Sequence, residues 1–375
     1  MKAMVFNGIK KISYTDTKDP SIQKSDDLIV RVTSASICGS DLHVLHGFIP
    51  HVKHGTVIGH EAVGVVEEIG KEVHGIKKGD RILIPFAVSC GHCWYCQHDL
   101  SSQCENSNSE GKTGGVFGYG EMFGGYDGGQ AEYIRVPFAN FMTRKIPENL
   151  TDEQSLFVTD ILPAALWGTE QADVKKGSKV VVIGCGPVGL LAQKWAWYMG
   201  AERVIAVDLK DYRLAHAQSF NNVETVNANE TSAGEYIKEI THGGADSVID
   251  CVGMEAKMSP IEIAETVLRV QGGSKSAFDI ASRAVRKGGT ISLVGVYGAK
   301  YNGFPLGDLF SGNITLKMGQ CPAHSYIDKI LSVIQSGGID ATDIITHTLP
   351  LSEGEQAYTL FEQRKDGCIK VVLKP

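Results

Sequence analysis

No stretch of this chain stays apolar for long enough to cross a bilayer. The most apolar run, from Val180 to Ala192, is short and broken by Gly and Pro. Nor does Met1-Lys2-Ala3-Met4-Val5-Phe6 supply the apolar core of a signal peptide, since it opens directly into a strand pattern. The expectation is a soluble, cytoplasmic protein with no membrane partner. An excess of one charge is also lacking. Charged residues are 21% and the formal net charge is −7, so nothing points to a nucleic-acid partner. No internal repeat is visible. What is present is a chain of 375 residues, enough for two sizeable cores. Its nine cysteines, in a reducing compartment, are candidates for metal ligands before they are candidates for disulfides.

The stretch 179–208 organises the rest. Lys179-Val180-Val181-Val182-Ile183 is a β-branched run that suits a buried parallel strand. Gly184-Cys185-Gly186-Pro187-Val188-Gly189 follows at once. Leu190 to Met199 is expected as a helix with Leu191, Trp195 and Tyr198 on one face, ended by Gly200. Arg203-Val204-Ile205-Ala206-Val207-Asp208 is a second buried strand with an acid at its tip. Such a βαβ unit binds a dinucleotide: the glycines let the backbone approach the pyrophosphate at the helix N-terminus, and Asp208 accepts from the adenosine ribose. With 43 glycines in the chain, three at fixed positions arise by chance about 0.5 times, so context must decide. A similar string at Gly118-Tyr119-Gly120 lacks the third glycine, the preceding strand and the following acid. Asp208 at the strand tip favours NAD over NADP. Lys210 is expected along the ribose and Arg213 on the helix surface.

Residues 1 to about 150 are expected to be mostly strands, among them Leu28–Val32, Ala62–Ile69 and Arg81–Pro85. The Gly-rich run 111–129 has no periodicity and is expected as a long surface loop, either a flexible excursion or the rim of a cleft. From Thr151 helices alternate with buried strands at 180–183, 203–207, 247–251 and 290–294, the doubly wound α/β pattern. Residues 314–318 are expected as its last strand, and 259–286 as an insertion.

Two groups of residues have metal-ligand character. Cys90, Cys93, Cys96 and Cys104 follow C-x-x-C-x-x-C-x7-C. Four thiolates can close a tetrahedral zinc and leave no open position, which makes a structural site. An iron–sulfur cluster is the rival, but the ferredoxin run has a shorter last gap followed by Pro, whereas Glu105 follows here. The second group is dispersed: Cys38-Gly39-Ser40-Asp41-Leu42-His43 and, about twenty residues on, Gly59-His60-Glu61. A thiolate and an imidazole can hold two corners of a zinc whose last position stays open for catalysis, although buried free cysteines and satisfied histidines are also common.

These segments, with Gly128-Gly129-Gln130-Ala131-Glu132-Tyr133 and the glycine turn, occur in one order that resembles the zinc-containing medium-chain alcohol dehydrogenases. The resemblance runs from Met1 to Pro375. It implies a GroES-like, mostly-β catalytic domain at 1–154 with a zinc lobe near 89–105. A Rossmann coenzyme domain at 155–320 follows, and 321–375 returns to the first domain. It implies Cys38, His60 and Asp160 as catalytic zinc ligands, with Glu61 behind the metal as an alternate ligand and Asp41 orienting the imidazole. Ser40 would accept the alcohol proton and His43 would relay it. Val294, Gly295 and Val296 would hold the nicotinamide amide, Lys370 would contact the pyrophosphate, and Phe86 and Ile49 would wall the pocket. An Asp in Thr159-Asp160-Ile161-Leu162-Pro163, where many members have Cys, is similar to glutathione-independent formaldehyde dehydrogenases and bacterial secondary alcohol dehydrogenases. The expected cofactors are two zinc ions per subunit and NAD. The expected partners are a small alcohol or aldehyde and further copies of the chain, as a homodimer or homotetramer. Competing readings are a polyol or secondary-alcohol dehydrogenase, a zinc-free quinone or enoyl reductase, and an NAD-binding zinc protein with a regulatory or structural role.

Overall fold

The β-branched runs form strands at or close to the expected places. The computed structural model describes residues 1–111, 113–253, 274–298 and 301–375. They form two units: Met1–Pro163 with Pro322–Pro375, and Ala164–Cys321. The helix Asp152–Leu156 straddles the expected boundary at 154 and the short turn Phe157–Thr159 follows it, yet both pack within the first unit, the helix against Leu28–Ile37 and Glu61–Ile69 and the turn against Glu61–Ile69 and Arg81–Ile84. Their apolar residues Leu156, Phe157 and Val158 are fully buried there.

The first unit is built on a mostly antiparallel sheet. Its strands run in the order Ile345–Pro350, Lys370–Lys374, Leu28–Ile37, Glu61–Ile69, Arg81–Ile84 and Arg144–Lys145, with Tyr133–Val136 also pairing with Leu28–Ile37. Leu28–Ile37 is twice the length expected, and its core face continues through Ala35 and Ile37. The strand Lys370–Lys374 pairs antiparallel with it, setting Val371 opposite Ile37, while Ser36 faces Glu61 on the other side. This register brings Lys370, Cys38 and Glu61 to one end of the sheet.

The second unit is a six-stranded parallel sheet in the order Glu224–Asn227, Arg203–Asp208, Lys179–Ile183, Ala245–Asp250, Val285–Leu293 and Thr315–Met318. The order reverses between Lys179–Ile183 and Ala245–Asp250, which opens a crevice at their carboxyl ends, where doubly wound sheets bind ligands. The helix after the glycine turn spans Pro187–Tyr198, so it begins earlier than expected, with Gly186 as its N-cap and Pro187 in its first turn. Leu191 and Trp195 are buried, and Tyr198 meets the Trp195 ring edge-on at 5.4 Å between centroids, on the same face but half exposed. Residues 259–273 of the expected insertion lie outside the described residues, and its last part holds the helix Ser276–Ala284.

The described part of the run 111–129 is mostly irregular, as expected, but it is tied down rather than a flexible excursion. Gly115–Val116 pairs with Ala87–Val88, Phe117 and Tyr119 are buried, and backbone bonds from Gly128 to Val57 and from Gly129 to Gly59 tie the run down. Apolar residues spaced between glycines carry no periodic signal, so packing of this kind is not visible as a pattern. Among the described residues no helix is long and apolar enough to cross a membrane.

Candidate metal and coenzyme sites

Cys90, Cys93, Cys96 and Cys104 converge as their spacing predicts. Their sulfurs lie within 4.8 Å of one another, with Cys90 to Cys96 at 4.0 Å and Cys93 to Cys104 at 3.9 Å. A disulfide needs about 2.0 Å. A tetrahedral zinc with bonds of about 2.3 Å sets its sulfurs roughly 3.8 Å apart, so the four cysteines fit that ion. Amide donors surround them: His92 and Cys93 donate to Cys90 Sγ at 3.4 and 3.3 Å, and Cys90 donates to Cys104 Sγ at 3.3 Å. The Asn106 side chain adds a bond to Cys90 Sγ at 3.3 Å. Donors of this kind stabilise thiolate charge, which four sulfurs on one dication leave in excess. His92 and His98 turn their Nδ1 atoms to the Cys90 and Trp94 carbonyls.

The second group is assembled by a helix start and a strand start. Cys38 precedes the helix Gly39–Leu45, and Asp41 Oδ2 accepts from the Cys38 amide at 2.9 Å, one half of a capping box. The other oxygen, Asp41 Oδ1, lies 2.9 Å from His60 Nδ1, a charge contact rather than an aligned hydrogen bond. His60 Nε2 is thereby turned inward, 3.2 Å from Asp160 Oδ2, which is 3.5 Å from Cys38 Sγ. Tetrahedral zinc with ordinary bond lengths requires roughly 3.4 Å between N and O donors and 3.6 Å between S and O. Glu61 completes a set of four residues whose ligand atoms lie within 4.8 Å of one another. Its carboxylate is held from behind by the Ser36 hydroxyl and by Lys370 Nζ at 2.6 and 2.8 Å.

The electrostatics show why a cation fits. Asp41, Glu61, Asp160 and the Cys38 thiol are buried together and face Lys370 and the His60 ring. Burial raises the Cys38 thiol, and the Asp160 and Glu61 carboxylates raise it further. Burial also raises Glu61 against the pull of Lys370. Burial disfavours the charged His60 ring, yet Asp41 and the bond to Asp160 lift its pKa well above the usual value. Burial raises Asp160, but the bond to His60, the charges of His60 and Lys370 and a bond with Glu61 together hold it below the usual carboxylate range. The raised Cys38, Glu61 and His60 express acids buried with too little positive charge, and the lowered Asp160 shows how far His60 and Lys370 already serve it; a dication bound by Cys38, His60 and Asp160 would supply the rest.

Ser40 Oγ donates to Cys38 Sγ and lies near His60 Nε2, both at 3.2 Å. His43 follows one turn later on the same helix, buried with its ring edge-on to Phe48. Lys370 departs from its expected place at an open pyrophosphate site. It is fully buried, and its ammonium is committed to Glu61, because the strand register sets it beside Cys38. Removing one partner of a buried pair is costly. Lys370→Met is therefore expected to lose about 3–5 kcal/mol, less at lower pH where Glu61 takes up a proton, and adding Glu61→Gln should recover part of it. Urea unfolding midpoints of the two variants at several pH values check this.

Two residues were not singled out from the sequence. The Tyr119 ring stands nearly perpendicular to His60 at 5.5 Å between centroids, as the Phe86 ring does at 6.3 Å. Burial raises its phenol, and a hydrogen bond with Ser40 partly opposes this. Gln130 is fully buried and bonds to the Ser36 carbonyl at 3.1 Å and Asp41 Oδ2 at 3.4 Å, while its oxygen accepts from Tyr358 at 2.8 Å. A glutamine between two glycines and an alanine was the available signal.

In the second unit Gly184 adopts φ +93°, and a Cβ on Gly189 would lie 1.8 Å from the Gly184 carbonyl oxygen, so the turn accepts no side chain there. Asp208 Oδ2 accepts from the Cys185 amide at 2.7 Å, and Oδ1 accepts from Leu209 and Lys210 at 2.7 and 2.9 Å. The carboxylate thus ties its strand tip to the glycine turn. Arg213 is not simple helix surface: its Nη1 is 3.7 Å from where a Gly186 Cβ would stand. Val294 and Gly295 donate to the Asp250 carbonyl at the next strand end, and Val296 is exposed.

A parallel sheet with a glycine turn and an acid at the strand tip, in one chain with a closed and an open set of metal donors, defines a metal-dependent dehydrogenase. Family models agree: residues 24–148 match the alcohol dehydrogenase GroES-like domain and 187–261 the zinc-binding dehydrogenase family. The uncharacterized zinc-type alcohol dehydrogenase-like protein AdhB of Bacillus subtilis (strain 168) is 52% identical over the whole of both chains. A glutathione-independent formaldehyde dehydrogenase of the same organism is 31% identical over 100% of this chain and 97% of its own. Alcohol dehydrogenase TADH from Thermus sp. ATN1 superposes with a TM-score of 0.88 at 36% identity over 100% of this chain and 99% of its own. The alcohol dehydrogenase rspB from E. coli CFT073, solved with NADH, does so with 0.81 at 25% identity over 100% and 99%. This chain belongs to the zinc-type alcohol dehydrogenase family. It is an oxidoreductase with ligand sets for two zinc ions and a fold for a nicotinamide dinucleotide.

Proposed function

We propose that this chain transfers hydride between a small alcohol, or an aldehyde hydrate, and NAD, with Cys38, His60 and Asp160 as ligands of the catalytic zinc. The observation that carries the reading is the convergence of those three ligand atoms beside the Ser40 hydroxyl. Zinc, when bound, supplies a Lewis acid that makes an alcohol proton easy to lose. Ser40 is placed to accept that proton and His43 to pass it toward solvent. Asp41 fixes the His60 ring with Nε2 inward. Glu61, restrained by Ser36 and Lys370, stands behind the ligands as a reserve carboxylate. Phe86, Ile49 and Tyr119 restrict the site to small substrates. NAD lies along 184–210, with Asp208 and Lys210 at the ribose and Val294 to Val296 at the nicotinamide amide. The NADH complex of the rspB dehydrogenase supports a place for this coenzyme on the fold. The protein works in the cytoplasm as a homodimer or homotetramer.

The test is Asp160→Ala with zinc analysis and a screen of small alcohols and aldehydes with NAD. Loss of one zinc with a fall in turnover of roughly 10²-fold or more is expected. Full zinc and near-normal turnover would assign the third position to Glu61 or water. Absence of turnover by the wild type on every substrate, with both zincs bound, would favour a regulatory or structural role.

A further inference from the structure

One buried carboxylate in the coenzyme unit has no part in the scheme above. Asp250 ends the strand Ala245–Asp250 and is fully buried. Its Oδ1 accepts from the Val252 amide at 2.8 Å and the Gly253 amide at 3.2 Å, and its Oδ2 accepts from the Tyr297 hydroxyl. Its carbonyl oxygen accepts from Val294 and Gly295, both at 2.9 Å. A single residue therefore fastens both the loop after its own strand and the loop after Val285–Leu293. These loops meet backbone to backbone. A Cβ on Gly295 would stand 2.2 Å from the Gly253 amide nitrogen, and one on Gly253 would stand 2.4 Å from the Val296 carbonyl oxygen. The first loop also closes against the glycine turn: Cys251 donates to the Ile183 carbonyl at 2.9 Å, and Val252 fills the space beside Gly184. Asp250 is the hub between the turn expected at the pyrophosphate and the backbone expected at the nicotinamide.

Packing alone does not explain an acid here. The last residue of a central parallel strand is ordinarily apolar, and a buried carboxylate is tolerated only when its oxygens are satisfied. Burial raises the Asp250 carboxyl, and the Tyr297 hydroxyl and the two amides work against that. The arrangement spends charge and three donors on loop geometry.

We propose that Asp250 and Tyr297 are positioning residues of the coenzyme site, their hydrogen bond setting the distance between the glycine turn and Val294–Gly295–Val296. The proposal rests on the reading of Val294 to Val296 as the nicotinamide contact. Neither side chain touches the coenzyme; they act through the two loops. Displacing the nicotinamide while the adenosine half stays bound would misalign hydride transfer, for which sub-ångström placement matters.

The test compares NADH with ADP-ribose, which lacks the nicotinamide, on zinc-loaded, full-length protein. Tyr297→Phe deletes one hydroxyl and Asp250→Ala deletes the hub. Both should weaken NADH binding roughly tenfold and reduce the fluorescence change of its nicotinamide, with ADP-ribose affinity held within about twofold. Asp250→Asn, whose Oδ1 still accepts and whose Nδ2 can donate to Tyr297, should recover most of the loss. If Asp250→Ala fails to fold, Tyr297→Phe decides alone. Unchanged NADH binding and fluorescence in Tyr297→Phe would overturn the proposal, as would equal weakening of both ligands. A wild type that binds neither ligand would overturn the coenzyme reading beneath it, and a wild type that binds both equally would overturn the nicotinamide contact.

Discussion

Cys38→Ser is expected to abolish turnover and to remove one of two zinc ions while the protein stays folded. In the proposed site Cys38 is the ligand contributed by the helix start, and without its thiolate the His60 and Asp160 atoms, 3.2 Å apart, would retain two corners of a tetrahedron. The fold does not depend on that ion: the sheet passes through both neighbouring strands, and Glu61 keeps its bonds to Lys370 and Ser36. Cys93→Ser should behave in the opposite way. The lobe around Cys90 to Cys104 has little regular structure beyond the helical turns Trp94–Gln97 and Ser101–Gln103, so a metal there would supply much of its folding free energy. Zinc content and thermal midpoint should fall together, with activity lost in proportion to unfolding. Elemental analysis, turnover and thermal unfolding of the two variants decide the matter. Iron in the wild type, or one zinc that only Cys93→Ser removes, would overturn the two-site assignment.

NAD should be preferred to NADP by at least about 10²-fold in kcat/KM. Asp208 accepts three backbone bonds and still has lone-pair directions left for ribose hydroxyls. A 2′-phosphate there would meet a like charge in a poorly hydrated crevice. Arg213 is the opposing feature, since its guanidinium reaches the glycine turn rather than bulk solvent. Asp208→Ser should therefore narrow the gap from both sides. It removes the repelling carboxylate, leaving Arg213 as the nearby charge, and it releases the Cys185 amide that the carboxylate had anchored. Affinity for NAD should fall as that for NADP rises. Equal use of both coenzymes by the wild type would refute the role given to Asp208.

The parts of this protein that were legible in its sequence are those where local chemistry is the whole signal. Four cysteines at short gaps converge because nothing else need intervene. Lys179 to Asp208 shows its strands and glycine turn because each piece is contiguous and buried. Asp41 was reached by resemblance, and the capping box that holds it is a finding of the structure. Sequence spacing failed where distant chain meets the site. Lys370 is more than three hundred residues from Glu61, and only the pairing of Lys370–Lys374 with Leu28–Ile37 brings them together. Tyr119 lies in a run whose glycines mask its packing, and Asp250 was passed over as one more strand residue. Asp160 was reached by resemblance, and its distance from Cys38 is a product of tertiary structure alone.

The pairing of Lys370–Lys374 with Leu28–Ile37 also orders events in time. The whole of Ala164–Cys321 is one uninterrupted segment, able to collapse as it leaves the ribosome. The amino-terminal sheet, although synthesised earlier, lacks an inner strand until Lys370–Lys374 emerges from the exit tunnel. Until then Glu61 has no ammonium to neutralise it, and the open metal site is incomplete. The catalytic half is thus the older part of the nascent chain and the later to mature. A translational stall or a frameshift between Cys321 and Lys370 would leave the parallel-sheet unit attached to an unfinished set of metal donors.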